Sequence, residues 1–279
     1  MATINLATKF LPLVDEKFTT ESKKSMLTNT DFDWTGAHSV KVYKVSVSGM
    51  NDYDRNAENK ENWSRFGAIE GLDAVTEEMM LKKDRSFTFA IDKLDSDETN
   101  QQLQAASALE RQMREVVIPE VDQYTYGIMC ENAGNKPAAV ELTAENICDE
   151  IFKGNAVLDN AEVPETNRVL VVTPDTYLLM KQSADIHLHT DIAQEMRLKG
   201  VIAMLDGAQV VKVPANRLPE KFGFMIAHPV ATVAPTKLED YRVHTDPPGI
   251  SGSLVEGRIC YDAFVLDNKK MAIYYQAKA

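Results

Sequence analysis

Apolar and polar positions alternate in two stretches of the N-terminal third. Residues 39–48 read Ser-Val-Lys-Val-Tyr-Lys-Val-Ser-Val-Ser, and residues 85–92 place Phe87, Phe89 and Ile91 on one face. Period-two alternation rich in Val and aromatic residues predicts strands. Between them the chain is polar: 11 of the 28 residues in 51–78 are charged, and Gly49, Gly67 and Gly71 punctuate the stretch. Such a composition argues against a buried element there. The pattern predicts a long β-hairpin, 39–48 paired with 85–92, with a large irregular tip. A two-stranded ribbon is marginal alone in water, so its faces and edges need covering. The cover can come from the rest of this chain or from a second copy of it.

The period changes after residue 95. Leu103, Ala106, Leu109, Met113, Val117, Val121, Tyr124 and Ile128 recur every three or four positions, which is one face of a helix. Asp95 and Glu98 fit a capping-box start, with Asp97 favoured by the helix dipole. Pro119 predicts a kink or restart. About 30 helical residues would span about 45 Å, enough for a spine across a domain.

Downstream, the elements shorten. Thr143 to Phe152 reads as a helix ending at Gly154, and Arg168 to Val172 as an apolar strand. Thr173-Pro174 opens a helix through Lys181, with Thr as cap and Pro in the first turn. Asp206-Gly207 between Val201–Leu205 and Ala208–Val213 predicts a tight hairpin. Phe222 to Ala227 is a strand closed by His228-Pro229, and Asp246-Pro247-Pro248-Gly249 is a stiff loop. Residues 258–266 fit strand or helix. Asp267-Asn268 turns, and Met271 to Tyr275 is a last strand. Residues 1–35 read as an arm. Ile4, Leu6, Phe10, Leu11, Leu13, Val14 and Phe18 are apolar, but Pro12 and polar neighbours interrupt them.

Composition narrows the function classes. The 279 residues carry 42 Asp and Glu against 30 Lys and Arg, a net charge of −12, with 44% apolar residues. That is a globular composition, and its acidity excludes a protein that grips nucleic acid by its phosphates. Cys130, Cys148 and Cys260 form neither a CxxC pair nor a disulfide framework, and read as buried or half-buried thiols. Met1 to Phe10 lacks the basic start and apolar run of a signal peptide, and no stretch approaches the roughly 20 apolar residues of a membrane span. The Asn62-Trp63-Ser64 sequon reads as chance.

Candidate chemistry is sparse. Neither GxxxxGK[ST] nor GxGxxG occurs. Gly249 to Ser253 approaches a nucleophile elbow but has Ser253 where Gly is required, so a turn-rich loop is the simpler reading. His187 and His189, with Asp191, could face one way on a strand and hold a metal. An HxH pair also opens amidohydrolase barrels, but only 90 residues follow His189, against about 250 for a whole barrel. No catalytic, cofactor-binding or metal residue is assigned, and no cofactor is expected.

The element order, with five strings in sequence, resembles the major capsid (coat) protein family of tailed bacteriophages. Lys83 to Asp92 leading into Asp95–Thr99 is similar to the hairpin-to-spine junction of one branch of these proteins. Arg168 to Pro174, Gly200 to Pro214 and His228 to Lys237 resemble successive axial-domain segments, and Tyr261 to Lys270 resembles the closing peripheral segment. The resemblance implies an α+β fold with an N-terminal arm (1–38) and an extended β-hairpin loop (39–94). It further implies a peripheral domain with the spine helix (95–140), an axial α/β domain (141–253), and a return to the peripheral domain (254–279).

The function implied is a structural shell protein, not an enzyme. Many copies, as pentamers and hexamers, would build the icosahedral head around double-stranded DNA without sequence-specific binding and without a membrane. The virion would be its location and the bacterial host cytoplasm its place of assembly. Some members carry about a hundred residues of fused scaffold before the arm. Only some 35 residues precede the hairpin here, so a separate scaffolding protein or self-driven assembly is implied, with a portal and decoration proteins as further partners. Some members also cross-link a hairpin Lys to a neighbour's Asn. Lys60, Lys82, Lys83 and Asn268 could be imagined in that role, but no motif singles them out. Two other readings stay open: an encapsulin-type nanocompartment shell, and a metal-dependent enzyme using His187 and His189.

Overall fold

The computed structural model describes residues 21–29, 39–45, 47–56, 64–68, 71, 74–98, 105–183 and 204–279. In chain order the elements are β1 (Ser39–Val45), β2 (Ala74–Met80), β3 (Lys83–Asp92), α1 (Lys93–Glu98), α2 (Ala105–Gln112), α3 (Ile118–Glu131) and α4 (Ile147–Asn160). They continue with β4 (Val169–Val172), α5 (Pro174–Gln182), β5 (Met204–Leu205), β6 (Ala208–Lys212), β7 (Phe222–Ala227) and β8 (Thr232–Val233). The last are β9 (Thr236–Thr245), β10 (Gly252–Tyr261), β11 (Phe264–Val265) and β12 (Ile273–Ala277). The described residues fall into two compact units, one within 34–81 and the other within 1–33 and 82–279.

The larger unit is built on a five-stranded sheet ordered β12-β7-β4-β6-β5, in which β4 and β6 run parallel and the other pairs antiparallel. Its central strand β4 is buried at every position, so it reads as an unbroken apolar run where a half-exposed strand would alternate. Val169 and Val171 face one core with Tyr126, Met129 and Cys130 of α3, and Leu27 joins them there. Leu170 and Val172 face the other core with Ile147, Ile151 and Leu158 of α4 and Met180 of α5. Thr173 caps α5 as expected, its Oγ1 accepting from the Thr176 N–H at 3.1 Å. The Asp206-Gly207 turn also forms as expected. Both residues have positive φ, 49° and 76°, which is what a two-residue hairpin demands.

A second sheet, ordered β3-β10-β9, lies in the same unit. Val117 and Val121 pack there against Ile259 and Tyr261. The spine helix thus buries two faces, one on each sheet, where the sequence predicts one. Val117 and Val121 belong to the predicted stripe. Asp122, Thr125, Tyr126 and Met129 form the second buried face.

Several expectations are corrected. Residues 39–48 do not pair with 85–92. β1 pairs with β2 in the register Ser39 to Met80 through Val45 to Ala74, while β3 pairs with β10. The charge that argued against an element in 51–78 is partly cross-strand pairing. Glu77 lies 3.0 Å from Lys44, and Glu78 lies 3.9 Å from Lys41. At Pro119 the expected restart does occur: α3 opens at Ile118 with the proline in its first turn. A π-helical segment, Met113–Val117, precedes it, with helical dihedrals on both sides. Proline at 119 has no N–H and crowds the carbonyl four residues back, and the wider π turn accommodates it.

The helix start expected at Asp95 is displaced. α1 begins at Lys93, before Asp95, and the Asp92 carboxylate accepts the Leu94 N–H at 2.8 Å. Gly154 does not end α4, which runs to Asn160. A Cβ at Gly154 would lie 3.0 Å from Ile226 and from the Tyr274 ring, so this glycine lets helix and sheet approach closely. Residues 258–261 are strand, in β10. β9 is a strand for which the sequence reading has no counterpart.

Candidate interaction surface

The smaller unit is a ribbon that buries Met79 and half-buries Val40 and Val42 but leaves several large apolar side chains exposed. In an antiparallel pair, opposed residues share a face. One face carries Tyr43 and Val45 from β1 and Met80 from β2. Tyr43 is 73% exposed and Val45 60%. Toward the tip, Val47, Met50, Tyr53 and Phe66 are also exposed, and the Tyr53 and Phe66 rings meet edge to face at 5.0 Å. The Asp54 N–H donates to the Arg65 carbonyl at 2.9 Å, which closes the tip. Gly67 has φ of 94°, and any Cβ there would strike the Asn51 side chain. The opposite face carries Lys44, whose pair with Glu77 is partly shielded from water. The Lys41–Glu78 pair is exposed, and exposed pairs are worth about 0–1 kcal/mol each, so it sets register more than it holds the ribbon together.

A contiguous set of exposed large apolar residues marks a surface meant to be covered. Aromatic and Met side chains are what buried interface centres favour. In chemical terms the ribbon offers apolar area and edge hydrogen bonds.

In the larger unit, the first described residues are tied down by a buried charge pair. The Arg217 Nη1 donates to Asp122 Oδ2 at 2.9 Å, and the Ser22 hydroxyl donates to Asp122 Oδ1 at 2.6 Å. Arg217 is 3% exposed and Asp122 1%. The Asn29 N–H donates to the Thr232 carbonyl at 2.7 Å, and Leu27 is fully buried between these points. Lys24 sits alongside, its ammonium pushed below the usual lysine range by burial, with Asp122 opposing the shift. Residues 21–29 are therefore a docked strap.

A second polar focus is Asp262. Its Oδ1 accepts from the Tyr124 hydroxyl at 2.7 Å and from the Ala263 N–H at 2.8 Å. Its Oδ2 accepts from the Lys82 N–H at 2.8 Å. Burial first, then the bond to this carboxylate, pushes the Tyr124 phenol up. Burial and the neighbouring Glu120 push Tyr261 up to about 12. Neither network is legible locally. Asp122 and Arg217 are 95 positions apart, and Tyr124 and Asp262 are 138 apart. Asp122 stands beside Val121 of the predicted stripe and Asp262 between Tyr261 and Ala263, and neither neighbourhood names a partner.

Of the residues weighed for chemistry, His187, His189, Asp191 and Lys60 lie outside the described residues. Among the described residues no cluster of His, Cys, Asp and Glu could hold a metal. No described helix is long and apolar enough to cross a membrane. Ser253 is a paired residue of β10, not the apex of an elbow. Cys130 and Cys148 are buried and Cys260 is half-buried. Burial pushes the Cys130 thiol up to about 12. Lys82 and Lys83 stand at the start of β3, and the Lys83 ammonium lies 4.8 Å from the centre of the Tyr124 ring. Asn268 is exposed in a 3-10 turn.

No protein-family model matches the sequence, and no curated protein matches it. Solved structures do. A chain of Mycobacterium phage Che8 superposes with a TM-score of 0.81 at 16% identity, over 99% of this chain and 98% of that one. A chain of the Cyanophage P-SCSP1u capsid gives 0.75 at 13% identity, over 99% and 93%. One from the mature capsid of bacteriophage PhiM1 gives 0.75 at 12% identity, over 98% and 92%. From end to end, the chain has the α+β fold of phage capsid subunits.

Proposed function

We propose that this chain is the major capsid protein of a tailed phage, a structural subunit whose copies close into the icosahedral shell around double-stranded DNA. The observation that carries this reading is the ribbon's exposed apolar set, Tyr43, Val45, Val47, Met50, Tyr53 and Phe66, on a fold otherwise found in capsid shells. Sister subunits supply the missing cover. A standard interface of roughly 1,600 Å² per neighbour, repeated around a closed lattice, gives high avidity from modest contacts.

In this reading 1–38 is the arm and 39–94 the extended loop together with its return along β3, which pairs with β10 in the larger unit; 95–140 and 254–279 are the peripheral domain and 141–253 the axial domain. Pentamers and hexamers form the lattice, a scaffolding protein guides closure, and a portal and decoration proteins complete the head in the host cytoplasm. A net charge of −12 suits a wall that confines DNA without gripping it.

The test is electron microscopy of the protein expressed with its neighbouring genes. Closed shells of uniform size containing DNA are expected. Monomers at every concentration overturn the proposal, and shells that hold a cargo enzyme and no DNA transfer the protein to the nanocompartment class.

A further inference from the structure

Residues 82–85, the residue before β3 and the first three of the strand, are each held by the rest of the larger unit. The Lys82 N–H, one residue before the strand, donates to the buried Asp262 carboxylate, which is 3% exposed. The Lys83 ammonium lies over the Tyr124 ring. Asp84 receives both Nε and Nη2 of Arg258 from the adjacent strand. Arg85 donates from Nε to Glu120 of α3 at 2.7 Å, and the Tyr261 hydroxyl donates to the same oxygen at 3.3 Å. The Tyr124 and Tyr261 rings meet edge to face at 5.7 Å beneath them. The division between the two units falls at Leu81 and Lys82, where these contacts begin.

We propose that Asp262 is a positioning residue that, with Tyr124, Arg258 and Glu120, locks the start of β3 in one place within the larger unit, up to the link at residues 81–82. This rests on the capsid reading for its purpose, since a ribbon that is covered by a neighbour needs an anchored root. It rests on geometry alone for its existence. Asp262 is suited to the part because one buried carboxylate accepts three donors from three places: the strand root, the spine helix and its own following amide. Charge-assisted bonds of this kind are short and directional. A buried acceptor that loses its donors is left costly, so the three hold one another in place. The outer grips on Asp84 and Arg85 are exposed and add orientation more than strength.

The experiment compares amide hydrogen exchange in unassembled wild-type, Asp262→Asn and Tyr124→Phe subunits, and then images what each assembles into. Replacing the carboxylate leaves one good acceptor for three donors. Exchange at residues 82–85 is expected to rise about tenfold or more in Asp262→Asn, with amides of β4 and α4 unchanged. Tyr124→Phe keeps the carboxylate and raises the same amides by a few-fold, so the test survives if Asp262→Asn does not fold. Assembled variants are expected to show particles of mixed size and curvature. Unchanged exchange at 82–85, or a rise spread evenly over the whole unit, overturns the proposal. So do uniform wild-type particles built from subunits with a loosened root. If wild-type subunits never close into shells, the capsid reading falls, while the exchange comparison still decides on the grip.

Discussion

Replacing Arg217 by Met should be among the most damaging single changes in the larger unit. The guanidinium and the Asp122 carboxylate are both buried and 2.9 Å apart. Met matches much of the Arg stem but removes the charge, leaving a carboxylate at the foot of the strap with the Ser22 hydroxyl as a remaining donor. Breaking a buried pair by removing one partner costs about 3–5 kcal/mol, because the other charge stays desolvated and uncompensated. Whole-domain stabilities are about 5–15 kcal/mol, so the loss is a large share.

Removing both charges should be far milder. Asp122→Leu with Arg217→Met replaces the pair by apolar volume, which in comparable cases is neutral or stabilising, less the cost of taking an acceptor from the Ser22 hydroxyl and a countercharge from Lys24. The assay is urea unfolding of single and double variants, on subunits kept below the concentration at which they assemble, since association stabilises by mass action. The single variant should lower the midpoint by roughly 1 M or more, and the double variant should restore most of it. A single-variant cost under about 1 kcal/mol, or a double variant as unstable as the sum of its parts, refutes the reasoning.

Three further outcomes are expected. The His228 imidazole is held below its ordinary value of about 6.5 by burial first, with Arg168 and Lys269 contributing, while its Nδ1 accepts the Val230 N–H. A depressed histidine contributes stability that is present above the unfolded value and lost as pH falls through the folded one. Unfolding midpoints between pH 7 and 5 should therefore fall less steeply in His228→Asn than in wild type. Among the three cysteines, Cys260 alone should react with a thiol reagent in the native subunit at pH 8, because Cys130 and Cys148 are buried; mass spectrometry of labelled peptides reads this directly. Gly252 has φ of 147°, and a Cβ there would lie closer to the Ile91 carbonyl oxygen than any real contact allows. Gly252→Ala should cost at least about 1–3 kcal/mol, whereas Gly49→Ala, with open space around it, should be neutral within about 0.5 kcal/mol.

Short-range signals were legible in the sequence wherever one residue type carries its own local physics. Thr173-Pro174 capped a helix, Asp206-Gly207 turned a hairpin, and the apolar run of β4 announced a strand. The spine was legible too, because a period of 3.6 needs no partner to be recognised. Partner choice was not legible. The alternation of 85–92 says only that a half-buried strand exists. Its pairing with β10, some 170 positions away, was decided by packing over Val117 and Val121 of the spine. The charges of β2 pointed toward a loop until the register with β1 set Glu77 and Glu78 beside Lys44 and Lys41. Asp122 with Arg217, and Asp262 with Lys82 and Tyr124, are tertiary facts of the same kind. Each depends on burial, which strengthens a polar contact and penalises its absence, and burial is a property that no single segment possesses.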